Sequence, residues 1–240
     1  MLDIQDLKLK QGEFSLNLSL PQLLPKIYAV IGPSGAGKST LLAALAGFLP
    51  VQSGTLCWKG EDITSVKPAD RPIAILFQDN NLFPHLTAER NIALAVTQRR
   101  ILTLCIRQKV QAALARVGLE GFGDYKPAQL SGGQQSRVAL ARVLLQDKPI
   151  LLLDEPFNAL GPALKNDMLD LLQTLVHERQ SLVLMVTHDP EDALRIAEET
   201  LLVSDEQVSL PVPTRYLLAN PPPALEAYLG DGASTGRLSK

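Results

Sequence analysis

The chain has 240 residues, of which 46% are hydrophobic and 20% charged, and its formal net charge at pH 7 is -2. This composition is typical of one large globular domain or two small lobes, and the small charge provides no field for a polyanion, so we expect no nucleic-acid partner. No apolar run approaches the roughly 18 residues of a membrane-spanning helix. The acidic, alternating start lacks the basic and apolar regions of a secretory signal, so we expect neither a spanning segment nor export.

The first third of the chain predicts short strands around one helix. Leu2–Leu9 and Phe14–Leu20 alternate between apolar and polar residues, whereas Ile27–Ile31 is apolar throughout and predicts a buried strand. Helical spacing is predicted over Ser39–Ala46. Two further strands are predicted over Thr55–Trp58 and Ile73–Phe77.

The segment Ala88–Leu119 has apolar residues at helical spacing and predicts a separate helical lobe. After it, helices and strands alternate, which indicates βαβ units and a mainly parallel sheet. The predicted elements are helix Ser136–Leu145, strand Ile150–Leu153, helix Pro162–Arg179, strand Leu182–Val186 and an antiparallel hairpin over Thr200–Leu210. The prolines at 211, 213 and 221–223 are expected to prevent regular structure there, and residues 231–240 are expected to be disordered.

A phosphate-binding loop is predicted between the strand Ile27–Ile31 and the following helix. The loop has the sequence Gly32-Pro33-Ser34-Gly35-Ala36-Gly37-Lys38-Ser39, followed by Thr40. Glycines let backbone N–H groups surround a β-phosphate, and the helix N-terminus adds positive potential. Lys38 is predicted to reach the β- and γ-phosphate oxygens, and Ser39 to ligate Mg²⁺.

Two carboxylates follow a second buried strand. Asp154 and Glu155 come directly after Ile150–Leu153, at the carboxyl end of the strand, where open α/β sheets bind ligands. We predict that Asp154 holds Mg²⁺ through its water shell and that Glu155 polarises the water that attacks the γ-phosphate.

Leu130-Ser131-Gly132-Gly133-Gln134 precedes a helix and could by itself be a flexible turn. Together with Gly32–Thr40, Gln78, Leu151–Glu155 and His188, in this order, it resembles the ATP-binding subunits of ABC transporters. The resemblance implies a P-loop NTPase of the α/β class, with a RecA-like, mainly parallel sheet, an N-terminal antiparallel β part and an inserted helical lobe. The implied domain covers residues 1–230: a core of 1–78 and 136–210, a lobe of about 79–135 and an extension of 211–230.

The same resemblance implies a head-to-tail dimer of ATPase subunits that encloses two ATP molecules. Ser131, Gly132, Gly133 and Gln134 would meet the nucleotide bound by the opposite subunit. Gln78 would contact Mg²⁺ or the attacking water, and His188 would bind the γ-phosphate.

The segment Asp79–Leu86 resembles the part of importer ATPases that receives a membrane permease. A narrower resemblance, carried by Ile31–Leu42, Ala46–Leu49 and Arg71–Thr87, is to the ATPases of bacterial thiamine importers. It implies a periplasmic solute-binding protein as an indirect partner and a peripheral position on the cytoplasmic face of the inner membrane. Importer subunits for iron, sulfate and molybdate have similar motifs, and a non-transport ABC ATPase or a non-hydrolytic scaffold are further alternatives.

Two positions depart from the family pattern. The family has an aromatic residue near its N-terminus that stacks on adenine, whereas Phe14 begins an alternating strand here and is expected to lie in the core. The family also has Asp where this chain has Gly161. We expect Gly161 to cap the helix that begins at Pro162, and its lost carboxylate to weaken communication between two ATP sites without abolishing hydrolysis.

Overall fold

The computed structural model describes residues 1–99 and 101–229, so the predicted disordered tail over 231–240 lies outside the described residues. The strands are β1 Leu2–Gln11, β2 Phe14–Leu23, β3 Ile27–Ile31, β4 Val51–Trp58, β5 Glu61–Asp62, β6 Ile73–Leu76, β7 Ile150–Asp154, β8 Leu182–Val186, β9 Glu199–Ser204, β10 Gln207–Val208 and β11 Val212–Pro213. The helices are α1 Lys38–Leu45, α2 Ala88–Ala93, α3 Leu104–Arg116, α4 Gly132–Leu145, α5 Pro162–Arg179, α6 Pro190–Ile196, α7 Thr214–Ala219 and α8 Pro223–Leu229. A 3-10 turn covers Pro127–Gln129.

The chain forms two compact units. One contains Met1–Arg71 and the chain from Leu182 onward, and the other contains Pro72–Ser181. These two units differ from the core of 1–78 and 136–210 and the lobe of about 79–135 expected from the sequence, and that domain division stays a prediction.

In the first unit, an antiparallel part and a parallel part share one run of strands. β1 pairs antiparallel with both β2 and β4, whereas β3 lies parallel between β8 and β9. All five residues of β3 and of β8 are buried, as their continuous apolar sequences predict. β9 and β10 form the predicted antiparallel hairpin, and β10 joins β2.

In the second unit, β6 lies parallel to β7, and α2, α3 and α4 pack against one another. α4 also packs against β6, so the helical lobe has its own apolar core, which includes Ile92, Val110, Leu114 and Val138. No helix in the described ranges has the length and apolar character that crossing a membrane requires.

The segment Ala88–Leu119, predicted to be helical, contains two helices, α2 and α3. Thr103 starts α3 by accepting a hydrogen bond from the Ile106 N–H at 3.4 Å. Two other predictions about helices are wrong. α4 begins four residues early, at Gly132, because Ser131 and Gln134 form a capping box. The C-terminal prolines do not prevent structure, since Pro213 precedes α7 and Pro223 opens α8, where the missing N–H costs nothing.

α6 was not predicted, although its start signal is present in the sequence. Asp189 caps it by accepting from the Glu191 N–H at 2.9 Å, and Pro190 occupies the first helical position.

Candidate functional site

The predicted phosphate loop connects β3 to α1 in the first unit. Gly32 approaches Val203 so closely that a Cβ would overlap with its carbonyl oxygen, and Gly35 and Gly37 have positive φ angles of 79° and 100°. Ser34, Gly35 and Ser39 are exposed. The loop therefore has the glycine-dependent backbone and the solvent access that a phosphate site requires.

Lys38 extends back over its own loop. Its Nζ donates to the carbonyl oxygens of Gly32 and Pro33, both at 2.8 Å. No side chain among the described residues caps α1, whose N-cap is Gly37. The first N–H groups of α1 and the Lys38 ammonium thus converge on one loop, which is the arrangement that attracts a polyphosphate.

Arg71 fixes the other end of α1. Its side chain is buried, and Nη1 donates to the carbonyl oxygens of Ala44 and Leu45 at 3.0 and 2.5 Å, at the helix C-terminus. Burial lowers the pKa of the Arg71 guanidinium from its ordinary value, yet guanidinium remains charged in proteins. Sequence reasoning assigned Arg71 no role, because nothing local signals a contact across 26 residues.

His188 follows β8, which lies parallel to β3 in the same unit. Because parallel strands end at the same sheet edge, His188 and the phosphate loop share the carboxyl edge of this strand pair. His188 is exposed, while the Thr187 hydroxyl before it is buried and donates to Asp192 Oδ2 at 3.3 Å.

In the second unit, Gln78 and Glu155 lie at the carboxyl edge of β6 and β7. Gln78 Nε2 donates to Glu155 Oε2 at 3.4 Å, and Asn158 Nδ2 donates to the same oxygen. Glu155 has a positive φ of 48°, which is uncommon for a residue with a long side chain and fixes the carboxylate by backbone geometry. Asp154, the last residue of β7, is buried.

Sequence reasoning missed Asn158. The signal was its position three residues after Glu155 and shortly before a proline-started helix, which is a spacing that lets a turn bring side chains together.

The sequence Ser131–Gln134 starts α4. The Ser131 N–H donates to Gln134 Oε1 at 2.8 Å, and Ser131 Oγ accepts from the Gln134 N–H at 3.3 Å. A Cβ on Gly133 would lie 2.8 Å from Leu160 Cδ2, so glycine permits close packing against the turn after Glu155. The structure thus brings Ser131–Gln134 and the carboxylate-bearing turn together within the second unit.

Arg142 of α4 holds the turn that follows Gln78. Its Nη1 donates to the Asn81 carbonyl and its Nη2 to the Asn80 carbonyl, both at 2.8 Å. Asn80 and Asn81 both have left-handed backbones, with φ of 58° and 44°. Burial lowers the pKa of Arg142, which nevertheless keeps its charge. α4 therefore connects the Ser131 end of the site to the Gln78 end.

The segment Asp79–Leu86 presents Phe83, Pro84 and His85 to solvent. The buried Asn91 supports it: Nδ2 donates to the carbonyls of Phe83, Leu86 and Thr87, and Oδ1 accepts from the Phe83 N–H at 2.8 Å. One amide therefore gives this exposed loop a defined shape.

The two departures have different structural outcomes. Phe14 is half-buried rather than in the core, and its ring lies where a Cβ on Gly37 would be, so the expectation of a core residue is wrong. Gly161 is the N-cap of α5 with Pro162 at the first position, as predicted, and an added Cβ would meet open space.

The family model described as ABC transporter matches residues 15–158, so the chain belongs to the ABC transporter family, and it is an ATPase of that class with the α/β P-loop fold predicted above.

The relatives named thiamine import ATP-binding protein are similar over most of this chain. The protein from Ruegeria sp. (strain TM1040) is 55% identical over 96% of this chain and 100% of its own length. Those from Cereibacter sphaeroides and Photobacterium profundum are 52% and 47% identical, over 96% and 90% of this chain and 100% and 91% of their own lengths.

Two solved structures have the same fold. A dimeric bacterial ABC transporter cassette has a TM-score of 0.79 and 30% identity, and a dimeric post-hydrolysis cassette bound to ADP and Pi has a TM-score of 0.78 and 29% identity. Each alignment covers 90% of this chain and 99% of the cassette.

Proposed function

We propose that this protein is the ATP-hydrolysing subunit of a bacterial thiamine importer and drives solute import through a partner permease. The observation that carries the solute assignment is the 55% identity to a thiamine import ATP-binding protein over 96% of the chain. In this proposal the subunit supplies ATP hydrolysis, and the specificity for the solute belongs to the partners with which it assembles.

Residues 32–40 bind the phosphates of ATP in this proposal. Backbone N–H groups of Gly35 to Thr40 and the α1 N-terminus compensate the phosphate charge, and Lys38 exchanges its two loop carbonyls for β- and γ-phosphate oxygens. Pro33, Ser34 and Ala36 complete the loop. Phe14, half-buried beside Gly37, is the proposed aromatic contact for the base.

Glu155 is the proposed general base for the attacking water. Its Oε2 accepts from both Gln78 and Asn158, and these two hydrogen bonds orient the carboxylate toward the carboxyl edge of β6 and β7. Gln78, which hydrogen-bonds to Glu155, is proposed to contact Mg²⁺ or the attacking water. His188 donates to a γ-phosphate oxygen and stabilises the charge that develops there.

The polar groups proposed for Mg²⁺ are Ser39, Gln78 and Asp154. Among the described residues no group of three or more His, Cys, Asp and Glu side chains could hold a metal ion alone. This fits Mg²⁺, which protein sites hold through one or two carboxylates together with phosphate oxygens and water. When bound, the ion neutralises charge on the β- and γ-phosphates.

A homodimer is the proposed working form, since both solved cassettes with this fold are dimeric. Ser131, Gly132 and Gly133 begin α4, so their N–H groups and hydroxyl form an anion site for the γ-phosphate held by the partner. The loop Asp79–Leu86, shaped by Asn91, is the proposed permease contact. Binding to the permease in this way corresponds to a peripheral position on the cytoplasmic face of the inner membrane, and we propose that residues 1–230 form a single ATPase domain.

The test is ATP hydrolysis by the complex of this chain with its permease in membranes. We expect thiamine-loaded binding protein to stimulate hydrolysis, and iron-, molybdate- or sulfate-loaded proteins to leave it at the basal rate. Stimulation by one of those three instead would contradict the thiamine assignment while keeping the importer assignment.

A Glu155→Gln variant tests the enzyme assignment in the same complex. We expect hydrolysis to fall by about 100-fold or more with ATP binding retained, because the general base is lost. If the Glu155→Gln complex still hydrolyses ATP, a residue other than Glu155 is the base. If neither the unchanged nor the variant complex hydrolyses ATP, the subunit is a non-hydrolytic scaffold.

A further inference from the structure

The two most exposed large hydrophobic side chains of the described chain lie three positions apart on the helical lobe. Ile101 is 83% exposed and Leu104 is 80% exposed. Only two residues lie between them, so their Cα atoms are at most about 10 Å apart. Neither is a misplaced core residue, because Leu102 between them is buried, as are Val110 and Leu114 on the inner face of α3.

Local hydrogen bonds hold this segment in place. Thr103 caps α3 through the Ile106 N–H, and Arg90 Nη2 donates to the Arg99 carbonyl at 3.0 Å, which ties the segment to α2. The outward direction of Ile101 and Leu104 is thus built into the structure of the lobe.

The same region is strongly cationic. The 29 residues from Asn91 to Leu119 include five Lys or Arg and no Asp or Glu, in a chain whose totals are 23 and 25. Arg99, Arg107 and Lys109 are exposed and lie within five residues of one of the two apolar residues in the sequence. We call Arg99, Ile101, Leu104, Arg107 and Lys109 the cationic patch.

We propose that the cationic patch binds the anionic surface of the lipid bilayer directly. Basic residues interspersed with exposed aliphatic side chains are the pattern that binds anionic lipid headgroups and inserts at the headgroup boundary. A permease is the less suitable partner, because cytoplasmic loops of membrane proteins carry an excess of Lys and Arg and would repel the patch. This proposal rests on the proposed function in one respect, namely that an importer subunit is located at a membrane.

The test is co-sedimentation of the full chain, without nucleotide or permease, with vesicles of phosphatidylcholine alone or mixed with phosphatidylglycerol. We expect binding only to the anionic vesicles, and weaker binding at 0.5 M salt. Each basic residue near an anionic surface contributes about fivefold, so Arg99→Gln with Arg107→Gln should weaken binding about 25-fold. Ile101→Ser with Leu104→Ser should weaken it at every salt concentration.

The control is Leu210→Ser with Arg215→Gln, which combines one change of each kind, aliphatic to Ser and Arg to Gln, at exposed positions of the other unit. It should bind anionic vesicles like the unchanged protein. Equal binding to both vesicle types, absence of binding, or equal loss in the control would each overturn the proposal.

Co-purification with the permease in detergent separates the two partners. If the patch variants fail to assemble there, the patch is a protein contact and the lipid proposal is wrong. Vesicle binding needs neither ATP nor thiamine, so it stands or fails independently of the proposed function.

Discussion

Replacing Gly161 by Asp or by Asn can distinguish an effect on local stability from an effect on communication between subunits. It caps α5 with φ of -68° and ψ of 158°, a backbone that any residue adopts, and an added side chain meets open space. Asp and Asn are equally good N-caps, and either should stabilise the chain by a few tenths of a kcal/mol relative to Gly. Only Asp adds a carboxylate.

We predict that Gly161→Asp and Gly161→Asn raise the free energy of unfolding alike, but that only the Asp variant increases thiamine transported per ATP hydrolysed. Denaturant unfolding measures the first quantity, and paired transport and phosphate-release assays in vesicles measure the second. If the Asp and Asn variants have equal transport ratios, the carboxylate has no role in coupling.

Several residues of the candidate site were accessible from sequence because a backbone pattern surrounds them. Lys38 and Ser39 open the helix that follows a five-residue apolar strand, and Asp154 ends another buried strand. Asn158 and Arg142 were not accessible. Their contacts with Glu155 and with the Asn80–Asn81 turn depend on left-handed backbones at Asn80, Asn81 and Glu155, which have no glycine to mark them.

At the level of elements, predictions succeeded where burial alone sets the boundaries. β3, β8 and α5 have the predicted bounds, since each begins and ends where an apolar pattern meets a polar residue or proline. Over Ala88–Leu119 the pattern predicted helical structure but did not locate the boundary between α2 and α3, which the Thr103 cap marks. Capping is a hydrogen bond of one side chain, and the hydrophobic period does not record it.

α4 is the element that joins the two ends of the second unit's site, and two of its arginines make matched contacts. Arg142 donates to the carbonyls of Asn80 and Asn81, next to Gln78, whereas Arg137 Nη1 donates to the carbonyls of Val117 and Gly118 after α3, both at 3.0 Å. Both guanidiniums are partly or largely desolvated, and burial lowers the pKa of each.

We predict that Arg142→Gln and Arg137→Gln each lower the free energy of unfolding by about 1–3 kcal/mol, because each removes charged hydrogen bonds to two backbone carbonyls. Only Arg142→Gln should also lower the maximal ATPase rate of the assembled transporter, since it frees the turn that positions Gln78. Urea unfolding and steady-state hydrolysis measure the two effects. An equal loss of rate in both variants would mean that α4 acts through stability alone.

For the molecule as a whole, membership of an ATP-binding family means that nucleotide binding should increase the free energy of unfolding. A ligand that binds only the folded state, at 100 times its dissociation constant, stabilises by about 2.7 kcal/mol. For a chain of this size each kcal/mol corresponds to about 2–4 °C in Tm, so the expected rise is about 5–11 °C. The phosphates supply most of this effect if residues 32–40 are the binding loop.

We therefore predict that Mg²⁺ with ATP raises Tm in thermal unfolding, that adenosine does not, and that EDTA reduces the rise. Lys38→Ala should abolish the rise in Tm. The substitution removes the ammonium that donates to the Gly32 and Pro33 carbonyls and is proposed to bind phosphate oxygens instead when ATP is present. Glu155→Gln should keep the full rise, since the proposed base acts on water, and Lys109→Ala is the control for loss of a surface charge. A Lys38→Ala protein stabilised as much as the unchanged chain would place the phosphates elsewhere.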